Sequence, residues 1–115
     1  MWVGHVLVTY RDLDLSSGFW TEVGLRPVER NDNVAIFELR GGTHLILVPG
    51  AASNGEGPAS FDLMVEDLDA EHERLEGKGL GPSPIDQNAD HRWFAIRDPG
   101  GNVVTVNDSH VVGIV

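Results

Sequence analysis

His5, His44 and Asp62 are the side chains best suited to hold a metal or move a proton, since imidazoles and carboxylates ligate and titrate under ordinary conditions. Each lies in a stretch where apolar and polar residues alternate. His5 shares one face with Val3, Leu7 and Thr9, opposite Val6, Val8 and Tyr10. His44 shares a face with Ile46, and Asp62 shares one with Ser60 and Met64. His5 and Asp62 are the candidate catalytic residues, either serving as a general base. His5 reads equally as a core histidine that needs a partner. Asp62 reads equally as a solvated carboxylate at a cleft mouth, or as a pair with Arg92 or Arg97. Trp93 and Phe94 are adjacent, so on a strand one faces the core and the other a ligand or partner chain; period alone leaves open which is which.

Other chemistries are closed or unsupported. The chain has no cysteine, which removes disulfides, thiolate ligands and a thiol nucleophile. Ser16, Ser17, Ser53 and Ser60 have no histidine and acid placed to form a triad. Gly41-Gly42 and Gly100-Gly101 precede no helix and do not read as phosphate loops. Glu71, His72, Arg74 and Glu76 fall at helical spacings that make surface pairs, and His91 and His110 lie in a turn and a tail.

The elements that must position these residues repeat. Arg11-Asp12-Leu13-Asp14 resembles Glu66-Asp67-Leu68-Asp69, and Val23-Gly24-Leu25 follows at the same interval as Lys78-Gly79-Leu80. Later, Ala35-Ile36-Phe37 with Gly41-Gly42-Thr43 resembles Phe94-Ala95-Ile96 with Gly100-Gly101-Asn102. The interval has grown by then, which predicts an insertion near residues 86–90. Each half opens with an alternating strand and continues into a short helix. Leu15, Phe19 and Val23, with Trp20 beside them, form the first helix's apolar stripe, and Leu68, His72 and Leu75 the second's. Asp12 and Asp67 stand where N-cap acceptors are wanted, and Gly24 and Gly79 where a left-handed residue ends the helix. Three strands follow in each half, at about residues 26–30, 34–39 and 43–48, then 83–86, 91–97 and 102–107. This divides a single domain of residues 1–115 into a first module (1–50), a linker (51–58), a second module (59–108) and a tail (109–115). The fold class is α+β: two β-α-β-β-β modules forming a curved mixed sheet around a cleft, because a sheet covered by a helix on one face leaves the other bare.

At 115 residues the chain suits one core. Its 18 acidic and 8 basic side chains give a net charge of −10, which repels a polyphosphate and argues against nucleic acid while favouring a cationic guest. No apolar run approaches the ~20 residues a membrane helix requires, and the N-terminus carries no signal pattern. The expected setting is therefore the cytoplasm, without a membrane partner.

Gly4-His5-Val6, then Asp12-Leu13-Asp14, Phe19-Trp20 and Val23-Gly24-Leu25, resembles the opening of a module in the vicinal oxygen chelate superfamily of glyoxalases, bleomycin resistance proteins and dioxygenases. Residues 61–70 and Arg97-Asp98-Pro99-Gly100-Gly101-Asn102 resemble the second module's opening and close, so the likeness spans about residues 3–108. It implies a divalent metal held from the first and last strands of each module. Those positions fall on His5, Ile46, Ser60 and Thr105, of which only His5 is an ordinary ligand type. The inherited metal site is therefore expected to be absent and no cofactor is expected; the alternative is a displaced ion on His5, His44 and Asp62. The resemblance implies a cleft lined by His5, His44, Ile46, Ser60, Asp62, Trp93, Thr105 and Asn107. It also implies a homodimer, with residues 111–115 as a candidate contact. The function it implies is binding or sequestration of a small organic molecule. The alternatives are a lyase, isomerase or dioxygenase with a rearranged metal site, a metal-free isomerase using Asp62 or His5, or an interaction domain whose cleft is filled by its own side chains. Whether the modules pair within one chain or between chains is open at this point.

Overall fold

The computed structural model describes residues 1–49 and 57–109; the linker's first six residues and most of the tail lie outside them. The first half folds as β1 (His5–Tyr10), α1 (Leu13–Val23), β2 (Arg26–Arg30), β3 (Ala35–Glu38) and β4 (His44–Pro49), with a 3₁₀ turn at Arg40–Gly42. The second half folds as β5 (Gly57–Pro58), β6 (Leu63–Val65), α2 (Leu68–Gly77), β7 (Asp86–Gln87), β8 (Arg92–Arg97) and β9 (Asn102–Asp108). The first sheet has the order β1-β4-β3-β2, with β1 parallel to β4. The second repeats it: β5 and β6 run parallel to β9, followed by β8 and β7. The opening strand of the second module is thus broken in two, and its pairing begins at Gly57, inside the expected linker.

Local chemistry sets the helix limits. Asp12 accepts from Leu15 N and Asp67 from Ala70 N, each at 3.0 Å, so both aspartates are N-caps. Gly24 closes α1 with φ 115°, a conformation open chiefly to glycine. In α2 the cap is Lys78, and Gly79, at φ 74°, comes one residue later. The apolar stripe of α1 differs from the expected one. Leu13, Ser16, Trp20 and Val23 are buried, whereas Leu15 is 63% exposed and Phe19 packs edge-on against Trp20 from the side. The spacing of 13, 16, 20 and 23 is as helical as that of 15, 19 and 23, and only the packing chooses between them. In α2, Leu68 and Leu75 are buried as expected, and His72 lies edge-on to Phe94 while hydrogen-bonding Ser83 O at 2.8 Å.

The repeat also refines the insertion. Asn31 Oδ1 accepts from the N–H groups of Asn33 and Val34, and Asn88 Oδ1 accepts likewise from Asp90 and His91. These are the same turn, yet the interval from Asn31 to Asn88 exceeds that from Gly24 to Gly79 and falls short of that from Gly41 to Gly100. The extra residues therefore enter on both sides of the turn, partly by lengthening β8.

One apolar core runs through both modules, with Val8, Trp20, Phe37, Leu45 and Leu47 meeting Leu75, Phe94, Ile96 and Val104. Burying each large side chain contributes about 1.5–3 kcal/mol before entropy is counted. Polar joints fix the modules to one another. Arg74, at the end of α2, donates to Val23 O at 2.5 Å and to Glu71 at 2.6 Å, so it caps the C-terminus of α1 as well as making the expected surface pair. Lys78 pairs with Glu22 at 3.1 Å. Among the described residues no helix is long and apolar enough to cross a membrane.

Candidate functional site

Each sheet buries one face under its helix and leaves the other open. On the first sheet, the buried face carries Val8, Leu45, Leu47, Ala35 and Phe37. The alternate residues form rows across the open face because paired residues in a ladder point the same way. His5 stands opposite His44, His44 opposite Glu38 and Glu38 opposite Arg26. In the next row Leu7, Ile46, Ile36 and Glu29 stand in register. A polar row therefore borders an aliphatic strip.

Within the polar row the His5 and His44 rings are 5.8 Å apart with planes inclined by 15°, and His44 Nε2 is 3.0 Å from Glu38 Oε2. Glu38 is the residue that sequence reasoning missed. Its alternation with Phe37 was readable, but its place beside His44 depends on the register of β3 against β4, which no local pattern encodes.

On the second sheet Phe94, Ile96, Val104 and Val106 are buried, so the question left open at Trp93 and Phe94 is answered: Phe94 is core and Trp93 lies on the open face. Trp93 stands opposite Asn107, which stands opposite Met64; Ala95 stands opposite Thr105. Met64 is 55% exposed, and Asn107 is nearly buried, its Nδ2 3.5 Å from Leu63 O. Ser60 and Asp62 are exposed. Arg92 does not pair with Asp62. Its guanidinium bonds both oxygens of Asp69, at 2.9 and 3.0 Å. That hydrogen bond holds the Asp69 carboxyl below its ordinary range and raises Arg92.

The structure thus puts His5, His44 and Ile46 on one open face, and Trp93, Thr105 and Asn107 on the other. Asp62 instead borders a groove of about 380 Å³ with Val3, Val6, Thr43 and Met64. Two further cavities, of about 590 and 420 Å³, share Arg40, Met64, Val65 and Glu71 along the seam between the modules. None of these three cavities is lined by His44, Ile46 or Trp93, so the open faces are not closed into any of them.

The metal implied by the resemblance does not fit these residues. Ile46 presents a hydrocarbon side chain between Leu7 and Ile36, and Ser60 and Thr105 present neutral hydroxyls that neither balance a divalent charge nor bind it strongly. Among the described residues no group of three or more His, Asp or Glu side chains is placed to hold an ion. His5, His44 and Asp62 are accordingly not gathered around one point.

Over residues 2–106 the sequence matches the Glyoxalase/Bleomycin resistance protein/Dioxygenase superfamily. The chain belongs to this superfamily. No protein of curated function matches it. Among solved structures, lactoylglutathione lyase from Agrobacterium tumefaciens superposes with a TM-score of 0.80 at 22% identity, covering 98% of this chain and 97% of that one. TnmS3, an antibiotic binding protein from Streptomyces sp. CB03234, gives 0.81 at 22% identity, with 94% and 95% covered. A bleomycin resistance determinant encoded on the transposon Tn5 gives 0.78 at 16% identity, with 96% and 100% covered. At these identities the likeness concerns the superfamily fold. The same fold carries a lyase, an antibiotic binding protein and a resistance determinant, so function has to be argued from the open faces.

Proposed function

We propose that this member of the glyoxalase superfamily binds a small organic molecule on its open sheet faces, without the divalent metal, and works as a homodimer in which a second copy covers those faces. The observation that carries the reading is the in-register strip of Leu7, Ile46 and Ile36, which puts a hydrocarbon side chain at a position where the resemblance implies a metal ligand. An apolar strip beside a few polar groups is what a ligand site requires, with Trp93 supplying a flat aromatic surface on the other face. The antibiotic-binding and bleomycin-resistance proteins among the structural neighbours accord with this use of the fold. A second copy is favoured by the exposure of Leu7 (51%) and Met64 on these faces, with Trp2 and Val3 exposed nearby in sequence.

Three measurements test this reading. Elemental analysis of protein purified without a polyhistidine tag is expected to find well under one Zn, Mn, Fe or Ni per chain, unchanged in His5→Ala. Native mass is expected at twice the chain mass. A panel of planar organic compounds, screened by thermal shift and equilibrium dialysis, is expected to yield ligands whose binding weakens in Trp93→Ala. A stoichiometric metal lost on replacing His5 moves the protein to the metalloenzymes, and a monomer that binds nothing in the panel refutes the reading.

A further inference from the structure

β6 is an edge strand, pairing with β9 alone. Val65 stands in register with Asp108, and its carbonyl accepts from Ser109 N at 3.0 Å. In a parallel ladder successive residues turn their backbone groups to opposite sides, so the N–H and C=O of Met64 point away from β9, to the free edge. The seam groove runs along that edge. Met64 and Arg40 border all three of its cavities, and Leu25, Leu39, Leu63 and Val65 give it aliphatic walls. A free strand edge flanked by apolar pockets suits an extended segment of chain, because the backbone supplies the hydrogen bonds and alternate side chains fill the pockets.

The occupant follows from where the chain leaves β9. Ser109, held on Val65, lines the cavity of about 590 Å³ together with Met64, Val65 and Arg40, so residues 110–115 start at the mouth of the groove. Six extended residues reach about 20 Å. Passing from β9 over the end of β6 to its free edge covers two strand spacings, roughly 10 Å. Two or three residues make that crossing and leave the others to run back beside Met64. Val111, Val112, Ile114 and Val115 are apolar and β-branched, the types that fit a half-buried strand. We propose that residues 112–115 form a further strand antiparallel to β6 of the same chain, pairing with the backbone of Met64 and closing the seam groove with their side chains. The segment straps the edge of the second module to the Leu39–Arg40 end of the first. It is thereby a contact within one chain, in place of the contact between copies that the resemblance implies.

The chain has no cysteine, so each engineered pair in the full chain reports a single contact. Met64→Cys is combined in turn with Val112→Cys, Gly113→Cys, Ile114→Cys and Val115→Cys, oxidised with diamide and mapped by mass spectrometry. Disulfides within one chain are expected at alternate tail positions and about tenfold more slowly at those between, since neighbours on a strand point to opposite faces. Leu7→Cys, on the open face of the first sheet, should stay reduced with the same partners. Disulfides that join two chains, bonding without alternation, bonding as fast to Leu7→Cys, or no bonding at all overturns the strand. A second measurement needs no cysteine. The Met64 amide is expected to exchange its hydrogen about tenfold faster in the double variant Val112→Asp with Ile114→Asp than in the wild type, while exchange in β8 stays the same. Equal exchange at Met64 in the two proteins refutes the pairing.

Discussion

The side-chain amide of Asn102 donates to the backbone carbonyl of Thr9 at 2.9 Å, joining the last strand of the second module to the end of the first strand of the chain. The same amide donates to both oxygens of Asp98, at 3.0 and 2.9 Å, and Asp98 also accepts from Asn102 N at 2.9 Å. Both residues are buried, so the signature Asp98-Pro99-Gly100-Gly101-Asn102 is a structural joint between modules. Asn102→Ala strands the Thr9 carbonyl and weakens the solvation of a buried carboxylate. Each stranded group costs about 1–3 kcal/mol, with the charged one at the upper end, and urea unfolding should show a lowered midpoint with an unchanged slope.

Gly100 sits inside this joint. A Cβ there would stand 2.9 Å from Thr9 O and 3.1 Å from Asn102 Nδ2. The nearest atom belongs to the backbone and cannot swing aside, so Gly100→Ala is expected to cost about 1–3 kcal/mol. Gly18→Ala, in open space within α1, is the matched control and should stabilise by about 0.5–1 kcal/mol. Thermal melts of the two variants should move in opposite directions.

Arg74 bridges the helices by donating to Val23 O and Glu71. Arg74→Met keeps the apolar stem and removes the charge at the C-terminus of α1, with an expected loss of about 1–2 kcal/mol. Hydrogen exchange at the last turn of α1 should accelerate more than exchange in β8.

The Asp69–Arg92 pair gives an acid signature. Hydrogen bonding to Arg92 lowers the folded-state titration of Asp69. The stability it supplies is therefore present above the ordinary carboxylate range and is lost as pH falls through the lowered value. Arg92→Gln should lower stability slightly at neutral pH, the loss being small because both groups are solvent-exposed, and leave it unchanged in acid where Asp69 is protonated, so that urea unfolding followed by circular dichroism shows the two proteins converging as pH falls.

Leu7→Glu places a charge on the open face of β1, where the side chain is half exposed. The chain should still fold, since exposed substitutions usually change stability by about 0.5 kcal/mol or less, but native mass should fall from that of the proposed dimer to that of a monomer. A dimer of unchanged affinity would show that the open faces are not the contact.

Much of the architecture was legible before any coordinates. Strand alternation placed His5 opposite Val6 and Val8, the aspartate caps marked both helix starts, and the repeated motifs carried the two-module plan, because each of these depends on interactions within a few residues of chain. Composition at single positions went further: Ile46 is not a metal ligand in any conformation. What the sequence left open all turned on long-range pairing. Helical spacing alone could not choose between the Leu15 stripe and that of Leu13, Ser16, Trp20 and Val23, nor strand period between Trp93 and Phe94. Glu38 beside His44, Arg74 on the end of α1 and Asn102 on Thr9 are neighbours only because particular registers and packings bring together residues from separate elements. A sequence period determines which side chains share a face. Which face is buried, and which side chains meet across it, is decided when the sheets and helices close on a common core.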